Sequence, residues 1–350
     1  MTSNAGNLPF LMEMHRWGIE VIKAIQKIEN PALTMMLKFI TALGTEVLYV
    51  PFILFIFWWI DEKRGLRLGI LIIASAWINT FLKDILKQPR PFNLDPSVGL
   101  AHESSYGAPS GHAQMSLTFW VPMAAWCSQA WTAMTGEKAE RRRKRIIWGA
   151  AVFFILLIAF TRLYLGVHFP TDIFAGWILG GIILCVFFIA GPYLEKLFAA
   201  AGIRSQNICV AAIVLLMNGV YPHDRAFPAL LLGFCLGYTL MKQRFPFSAR
   251  GEIDGKKPGI KVMFFRCITG FLGLAVIYLG LRLILPGEGS LFADIPVWGK
   301  FSPYYPLGRF IRYAFLGFWA SAGAPWIFQL MGLAADVKAG SNADNNSGQE

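Results

Sequence analysis

Long apolar runs separated by short polar stretches dominate the pattern of this chain. Runs near 38–60, 66–83, 112–133, 146–166, 172–194, 205–221, 226–241, 262–285 and 308–333 each approach the roughly 20 apolar residues that a helix needs to cross a bilayer. The sixth and seventh are short enough to form one re-entrant pair. The pattern predicts an all-α fold, a polytopic transmembrane helical bundle of about nine spans. Ahead of the first run, LPFLMEMHRWGIEVIKAIQKIENP repeats its apolar residues at helical spacing, so residues 1–34 are expected to form an amphipathic segment lying in the membrane interface. It has no basic start followed by a small-residue cleavage site, and is not read as a cleaved signal peptide. The last stretch, DVKAGSNADNNSGQE (residues 336–350), is polar and expected to be a disordered tail.

Composition agrees with the pattern. Hydrophobic residues make up 55% of the 350 positions and charged residues 15%, far from the balance of a soluble domain of this size. The formal net charge of +11 would suit a nucleic-acid partner, but its placement speaks for something else. Lys and Arg crowd into DEKRGLR, EKAERRRKR and MKQRFPFSARGEIDGKKPGIK, which are alternate loops of the predicted bundle. The positive-inside rule makes these loops cytoplasmic, so the basic runs are topology signals and no nucleic-acid partner is expected. All five cysteines fall inside apolar runs, which gives neither a disulfide framework nor a metal cluster.

Candidate chemistry collects at the opposite ends of the spans. Three polar segments there are KDILKQPRPFN (Lys83–Asn93), APSGHAQ (Ala108–Gln114) and TRLYLGVHFPTD (Thr161–Asp172). Singly, each has an ordinary explanation: a snorkelling Lys83 or Arg90, an N-cap at Ser110, a satisfied interfacial histidine or aspartate. Together they supply what a phosphate monoester needs. Lys83, Arg90 and Arg162 are three cations, two with planar forks that match phosphate oxygens, able to hold the charge of an in-line transition state. Pro89 and Pro91 stop the second helix around Arg90. Ser110 and Gly111 open the third helix, where backbone N–H groups and the dipole favour an anion and the absent Cβ permits close approach. Pro170 suits the first turn of the fifth helix, which puts His168 just before it and Asp172 within reach of one ring nitrogen.

The three motifs K-x6-R-P (Lys83 to Pro91), P-S-G-H (Pro109 to His112) and R-x5-H-x3-D (Arg162 to Asp172), in this order, resemble the type 2 phosphatidic acid phosphatase (PAP2) superfamily. That family includes lipid phosphatases, undecaprenyl diphosphate phosphatases, sphingosine phosphate phosphatases, glucose-6-phosphatase and vanadium haloperoxidases. The resemblance covers about residues 35–195, which would form a PAP2-like catalytic core, and departs from the family at Thr161, where Ser is usual. It implies a phosphoric monoester hydrolase with His168 as the nucleophile that becomes phosphohistidine. Asp172 would support that ring, His112 would be the general acid and base, and Lys83, Arg90, Ser110, Gly111 and Arg162 would bind phosphate. No carboxylate cluster suited to a divalent metal lies in these segments, so no metal or cofactor is expected. The expected substrate is a lipid phosphate or diphosphate, with membrane lipids as the surroundings and the site facing the periplasm, exterior or an organelle lumen.

Other residues invite comment. Glu46 reads as an interfacial carboxylate, and Arg282 as a snorkelling side chain. His102, Glu103 and Tyr106, in the loop that borders the cradle, are candidates for substrate contact. Asn93, Asp95, His102 and Glu103 would be the groups available to a sugar, which keeps a glucose-6-phosphatase-like reading open. Residues 196–335 add further spans without a motif, including an aromatic-rich outer loop, PGEGSLFADIPVWGKFSPYYPLGR. A transporter that keeps a phosphatase-like core is the competing class. It predicts ionisable residues near the midplane, whereas these lie at helix ends.

Overall fold

The computed structural model describes residues 9–42, 44–130, 137–253, 255–287, 289–295, 297–299 and 301–335. The expected tail at 336–350 and the side chain of Glu46 lie outside them. In chain order the helices are α1 (Pro9–Gln26), α2 (Pro31–Ala42), α3 (Glu46–Phe55), α4 (Glu62–Leu86), α5 (Pro91–Leu94), α6 (Gly111–Ala130), α7 (Glu137–Tyr164), α8 (Pro170–Cys185), α9 (Gly191–Ala200), α10 (Ile203–Val220), α11 (Ala226–Arg244), α12 (Ile260–Ile284), α13 (Tyr305–Phe318) and α14 (Ala324–Leu330). Wide π-type turns continue α3 through Ile56–Ile60, α8 through Val186–Ala190 and α13 through Trp319–Gly323. Extended pairing among the described residues is limited to one isolated bridge, Ile253 with Lys256.

Among the described residues five helical stretches are long and apolar enough to cross a membrane: Glu62–Leu94, Ala139–Tyr164, Pro170–Ala200, Ile203–Val220 and Ile260–Ile284. The other expected spans are also helical: the seventh is the unbroken α11 (Ala226–Arg244), and three depart from a single apolar rod. The first, at 38–60, is broken near Gly44, so Pro31–Ala42 and Leu48–Ile60 are separate short apolar helices. The third, α6, carries buried Gln114, Ser116 and Thr118, and α13 carries Arg309 and Arg312. These polar residues lower the mean hydropathy without interrupting the helix.

Packing divides the chain into two compact units, one of residues 1–50 and 74–192, the other of residues 51–73 and 193–350. In the first unit α6 packs against α7 and α8. Gly176 and Gly180 of α8 make the approach possible, because a Cβ at Gly176 would lie 2.5 Å from the Ser110 carbonyl oxygen and one at Gly180 would lie 3.2 Å from that of Gln114. A buried polar ladder ties α4 to α6: Asn79 Nδ2 donates to Gln114 Oε1 at 2.7 Å, and Gln114 Nε2 donates to the Ser75 carbonyl at 2.8 Å. Each amide thereby meets a partner where water is excluded.

The amphipathic helix α1 does more than lie on a surface. Its Ile22 is buried with Val98 and Phe169, and Gln26 Nε2 donates to the carbonyls of Val98 (2.9 Å) and Tyr164 (2.8 Å). Phe10 and Trp17 are exposed, as suits an apolar face turned to lipid.

In the second unit α11 and α13 are in close contact, with a Cβ at Gly233 falling 1.9 Å from the Ala314 carbonyl oxygen and one at Gly317 falling 2.4 Å from that of Leu230. The buried guanidinium of Arg266 holds this unit together from inside, donating to the carbonyls of Leu333 (2.8 Å), Trp58 (3.0 Å) and Ala249 (2.7 Å). Overpacking the glycine seam should be costly: Gly233→Ala is expected to lose about 1–3 kcal/mol in thermal unfolding in detergent. Gly219→Ala in α10, where a Cβ meets nothing within 4 Å, should be neutral or stabilising by up to about 1 kcal/mol.

Candidate active site

Lys83 lies in the last turn of α4, where the Lys87 N–H closes back on its carbonyl at 2.9 Å and Lys87 takes a positive φ of 46° to end the helix. The chain then leaves the helix, with Arg90 in extended form and Pro91 opening α5. The Arg90 N–H donates to Asn93 Oδ1 at 3.0 Å, which fixes the start of α5. The two prolines deny the helix its continuation, so the Arg90 side chain turns back into protein and is 1% exposed. There Nε donates to the Ser105 carbonyl (2.6 Å) and Nη1 to the Val167 carbonyl (2.8 Å), while Nη2 donates to Ser105 Oγ (2.9 Å). Lys83 Nζ reaches the same Ser105 hydroxyl at 3.1 Å.

Ser110 and Gly111 open α6 as expected. The Ser110 N–H donates to the Asp172 carbonyl at 2.9 Å, joining the starts of α6 and α8. Its hydroxyl lies 3.4 Å from the Ala113 N–H, a long capping contact. A Cβ at Gly111 would lie 2.9 Å from Asn79 Oδ1, so the polar ladder also sets how this helix begins. His112 follows in the first turn, half-buried and without a hydrogen bond among the described residues. The charges of Arg162, Glu103, Lys83 and Arg90 all act on it.

The third motif spans the turn from α7 to α8. Gly166 has a φ of +64°, and a Cβ there would fall 1.8 Å from the Val98 carbonyl oxygen, so a side chain is excluded on both counts. Beyond it His168 is fully buried. Its Nδ1 lies 3.4 Å from Asp172 Oδ2, which also accepts the Phe169 N–H at 2.9 Å, and its Nε2 lies 3.3 Å from Arg90 Nη1. These partners assign the tautomer: Nδ1 carries the proton toward the carboxylate, and the Nε2 lone pair faces the cation. Burial pushes the ring well below its ordinary pKa of 6.5, and Arg162, Lys83 and Arg90 push it further, so His168 is neutral at pH 7.

Glu103 binds the two arginines into one cluster. Its Oε2 accepts from Arg90 Nη2 at 2.7 Å, and its Oε1 pairs closely with Arg162 Nη2. Burial alone would raise this carboxyl, but the fields of Arg162 and Arg90 outweigh it and hold the pKa at about 2. Arg162 Nη1 donates to Thr41 Oγ1 at 2.7 Å, and Thr161 Oγ1 lies 3.0 Å from the same oxygen and 2.6 Å from the Ile158 carbonyl. The Thr161 hydroxyl thus steadies Arg162 through Thr41.

The structure therefore brings Lys83, Arg90, Ser110, Gly111, His112, Arg162, His168 and Asp172 to neighbouring helix ends of one unit. Of the loop candidates, Glu103 is at the centre, His102 stacks on Phe92 at 4.8 Å, and Tyr106 is exposed. Thr41, Asn79, Ser105 and Gln114 were missed by the motifs, because small polar residues in or beside apolar runs carry no spacing signal of their own. Asn93 and Asp95, the other groups available to a sugar, are engaged locally: Asn93 caps Arg90, and Asp95 pairs with Lys23 at 2.9 Å. Among the described residues no three His, Cys, Asp or Glu side chains converge as metal ligands would.

Residues 64–196 match the PAP2 superfamily, and residues 226–336 match the transmembrane extension of PAP2 superfamily phosphatases. Residues 64–196 are thus a PAP2 superfamily domain, and the three motifs fall inside it. It is 28% identical over 331 residues to sphingosine-1-phosphate phosphatase 2 of Homo sapiens, covering 85% of this chain and 78% of the relative. The similarity to sphingosine-1-phosphate phosphatase 2 of Mus musculus is 29% over 191 residues, covering 53% of this chain and half (50%) of the relative's length. Phosphatidylglycerophosphatase B of Bacillus subtilis is 28% identical over 181 residues, covering 51% of this chain and 83% of that protein.

The Glu103 pairing has a pH signature. Because the folded pKa of about 2 is below the ordinary 4.5, the stability it supplies is complete above about pH 4.5 and is lost as pH falls through 2. Acid unfolding in detergent should therefore show a steeper loss between these values in the wild type than in Glu103→Gln.

Proposed function

We propose that this chain is an integral-membrane phosphatase that hydrolyses a lipid phosphate or lipid diphosphate through a phosphohistidine intermediate. The observation that carries the reading is the orientation of His168, with Asp172 at Nδ1 and a cation at Nε2. In the first step Nε2 attacks phosphorus in line, the P–O bond to the lipid breaks, and His112 gives a proton to the leaving oxygen. Asp172 stabilises the cationic ring that results. In the second step His112 takes a proton from water, whose oxygen displaces Nε2, releasing inorganic phosphate and restoring both histidines. Lys83, Arg90 and Arg162 hold the equatorial oxygens, with Ser110 and Gly111 at the helix start, and the added charge of the transition state falls on groups already in place. No metal enters this scheme.

The lipid assignment rests on position and on what a sugar would find. A phosphate held at helix ends lies near headgroup depth, so its chain can stay in the bilayer and avoids about 0.8 kcal/mol per CH₂ of exposure. The polar groups that a sugar phosphate would need are engaged elsewhere: Asn93 with Arg90, Asp95 with Lys23, His102 against Phe92 and Glu103 with the arginines. Both named activities among the relatives described above are also directed at lipid phosphates. The distribution of Lys and Arg supports a nine-crossing topology with the site on the non-cytoplasmic face.

Two experiments test this reading. Purified protein in mixed micelles should release phosphate from a long-chain lipid phosphate with a specificity constant at least tenfold above that for glucose 6-phosphate, and EDTA should leave the rate unchanged. His168→Ala and His112→Ala should each lower kcat by about 10³-fold or more with the fold intact, and acid trapping of the wild type during turnover should place label on histidine. Preference for the sugar phosphate, or an absolute need for added divalent metal, would remove the assignment.

Sidedness is tested in intact cells after replacement of the native cysteines. Ala101→Cys should react with a membrane-impermeant thiol reagent and Ala139→Cys should not. The reverse pattern would place the site in the cytoplasm.

A further inference from the structure

The fold presents its own anion to the cations that would hold the substrate. The two oxygens of Glu103 take one N–H each from Arg90 and Arg162, as two oxygens of a phosphate would. The guanidiniums are buried, with side chains 1% and 3% exposed, whereas the Glu103 side chain keeps 28% of its surface and sits in the loop between α5 and α6. It can leave by rotating about its own bonds. When it does, the site still has capacity: Lys83 Nζ meets a hydroxyl and no carboxylate, and the buried Nε of Arg162 has no hydrogen-bond partner among the described residues.

An enzyme that works at headgroup depth faces a particular difficulty. The bilayer offers phosphodiester headgroups at the same depth and in large excess over any monoester, and an uncompensated cluster of three cations would bind them. We infer that Glu103 is a specificity-determining residue that selects phosphomonoesters against phosphodiesters by competing for Arg90 and Arg162. The inference rests on the lipid phosphatase reading of this site.

The selection follows from charge and oxygen count. A diester carries one negative charge and two terminal oxygens, the same as the carboxylate it must displace, so the exchange gains nothing in Coulomb energy. A terminal monoester carries about −1.5 to −2 at pH 7 and three terminal oxygens. The extra charge and oxygen have partners ready in Lys83 and the free Nε of Arg162, so the exchange is favourable for the monoester and not for the diester. Discrimination of this kind is built from the internal competitor as much as from the contacts to the substrate.

The test compares wild type and Glu103→Gln in identical mixed micelles, so that surface charge is the same for both. Hydrolysis of a long-chain lipid phosphate is measured against increasing surface fractions of phosphatidylglycerol, a monoanionic diester. The inhibition constant for phosphatidylglycerol is expected to fall at least tenfold in Glu103→Gln, about 1.4 kcal/mol, with a smaller fall in the KM of the monoester, so that the ratio of the two constants narrows; an equal fall in both overturns the inference. An inhibition constant within twofold of wild type, or weaker diester binding, overturns the inference. If Glu103→Gln does not stay folded, Glu103→Asp serves: one methylene shorter, it reaches the arginines less well, and at least a threefold fall is expected, with no change counting against the proposal. Wild-type turnover in the same micelles separates the two ideas. Without turnover the phosphatase reading fails, whereas turnover with unaltered diester inhibition removes the role of Glu103 alone.

Discussion

Two guanidinium groups buried at the ends of membrane helices are the constraint around which the first unit is arranged. Taking each ion out of water costs several kcal/mol, and an uncompensated pair of like charges would cost more. The Glu103 carboxylate between Arg90 and Arg162 offsets that cost, and carbonyl and hydroxyl oxygens of Ser105, Val167 and Thr41 accept further N–H groups, with only the Arg162 Nε left unpaired among the described residues of this pair. Those acceptors come from the α5–α6 loop, the α7–α8 turn and α2. Satisfying the arginines therefore fixes the relative positions of several otherwise unconnected segments.

Helix packing brings the remaining parts into register. The glycine-lined face of α8 lets the start of α6 sit against it, and this closeness permits the hydrogen bond from the Ser110 N–H to the Asp172 carbonyl. A larger residue at Gly176 would separate the start of α6 from the helix that carries Asp172. The polar ladder of Asn79, Gln114 and Ser75 then holds α4, with Lys83 one turn beyond Asn79, against α6. Catalytic geometry in this fold is thus a product of backbone approach in an apolar medium, where van der Waals fit and satisfied amides replace the hydrophobic effect as the source of helix association.

Much of this was legible in the sequence because it rests on local chemistry. Prolines around Arg90, a helix start at Pro109–Gly111 and the i, i+4 spacing of His168 and Asp172 each act over a few residues, and the structure contains all of them. The long apolar runs likewise read as helices. The departures have local causes seen afterwards: a break near Gly44 divides the first run, and buried polar residues in α6 and α13 lower the apolarity of expected spans.

The sequence by itself determined which segments are helical and which residues could make a phosphate site, since hydropathy period and proline placement are properties of short stretches. Only the tertiary structure decided that Glu103, and not His102 or Tyr106, meets the arginines. It also showed that Thr41 and Thr161 support Arg162 from the side, and that Asn79 and Gln114 anchor the helix bearing His112. A hydrogen bond between residues 120 positions apart, such as that between Thr41 and Thr161, leaves no periodic trace in the chain. It exists because helix ends converge and each buried polar group there must find whatever partner the packing supplies.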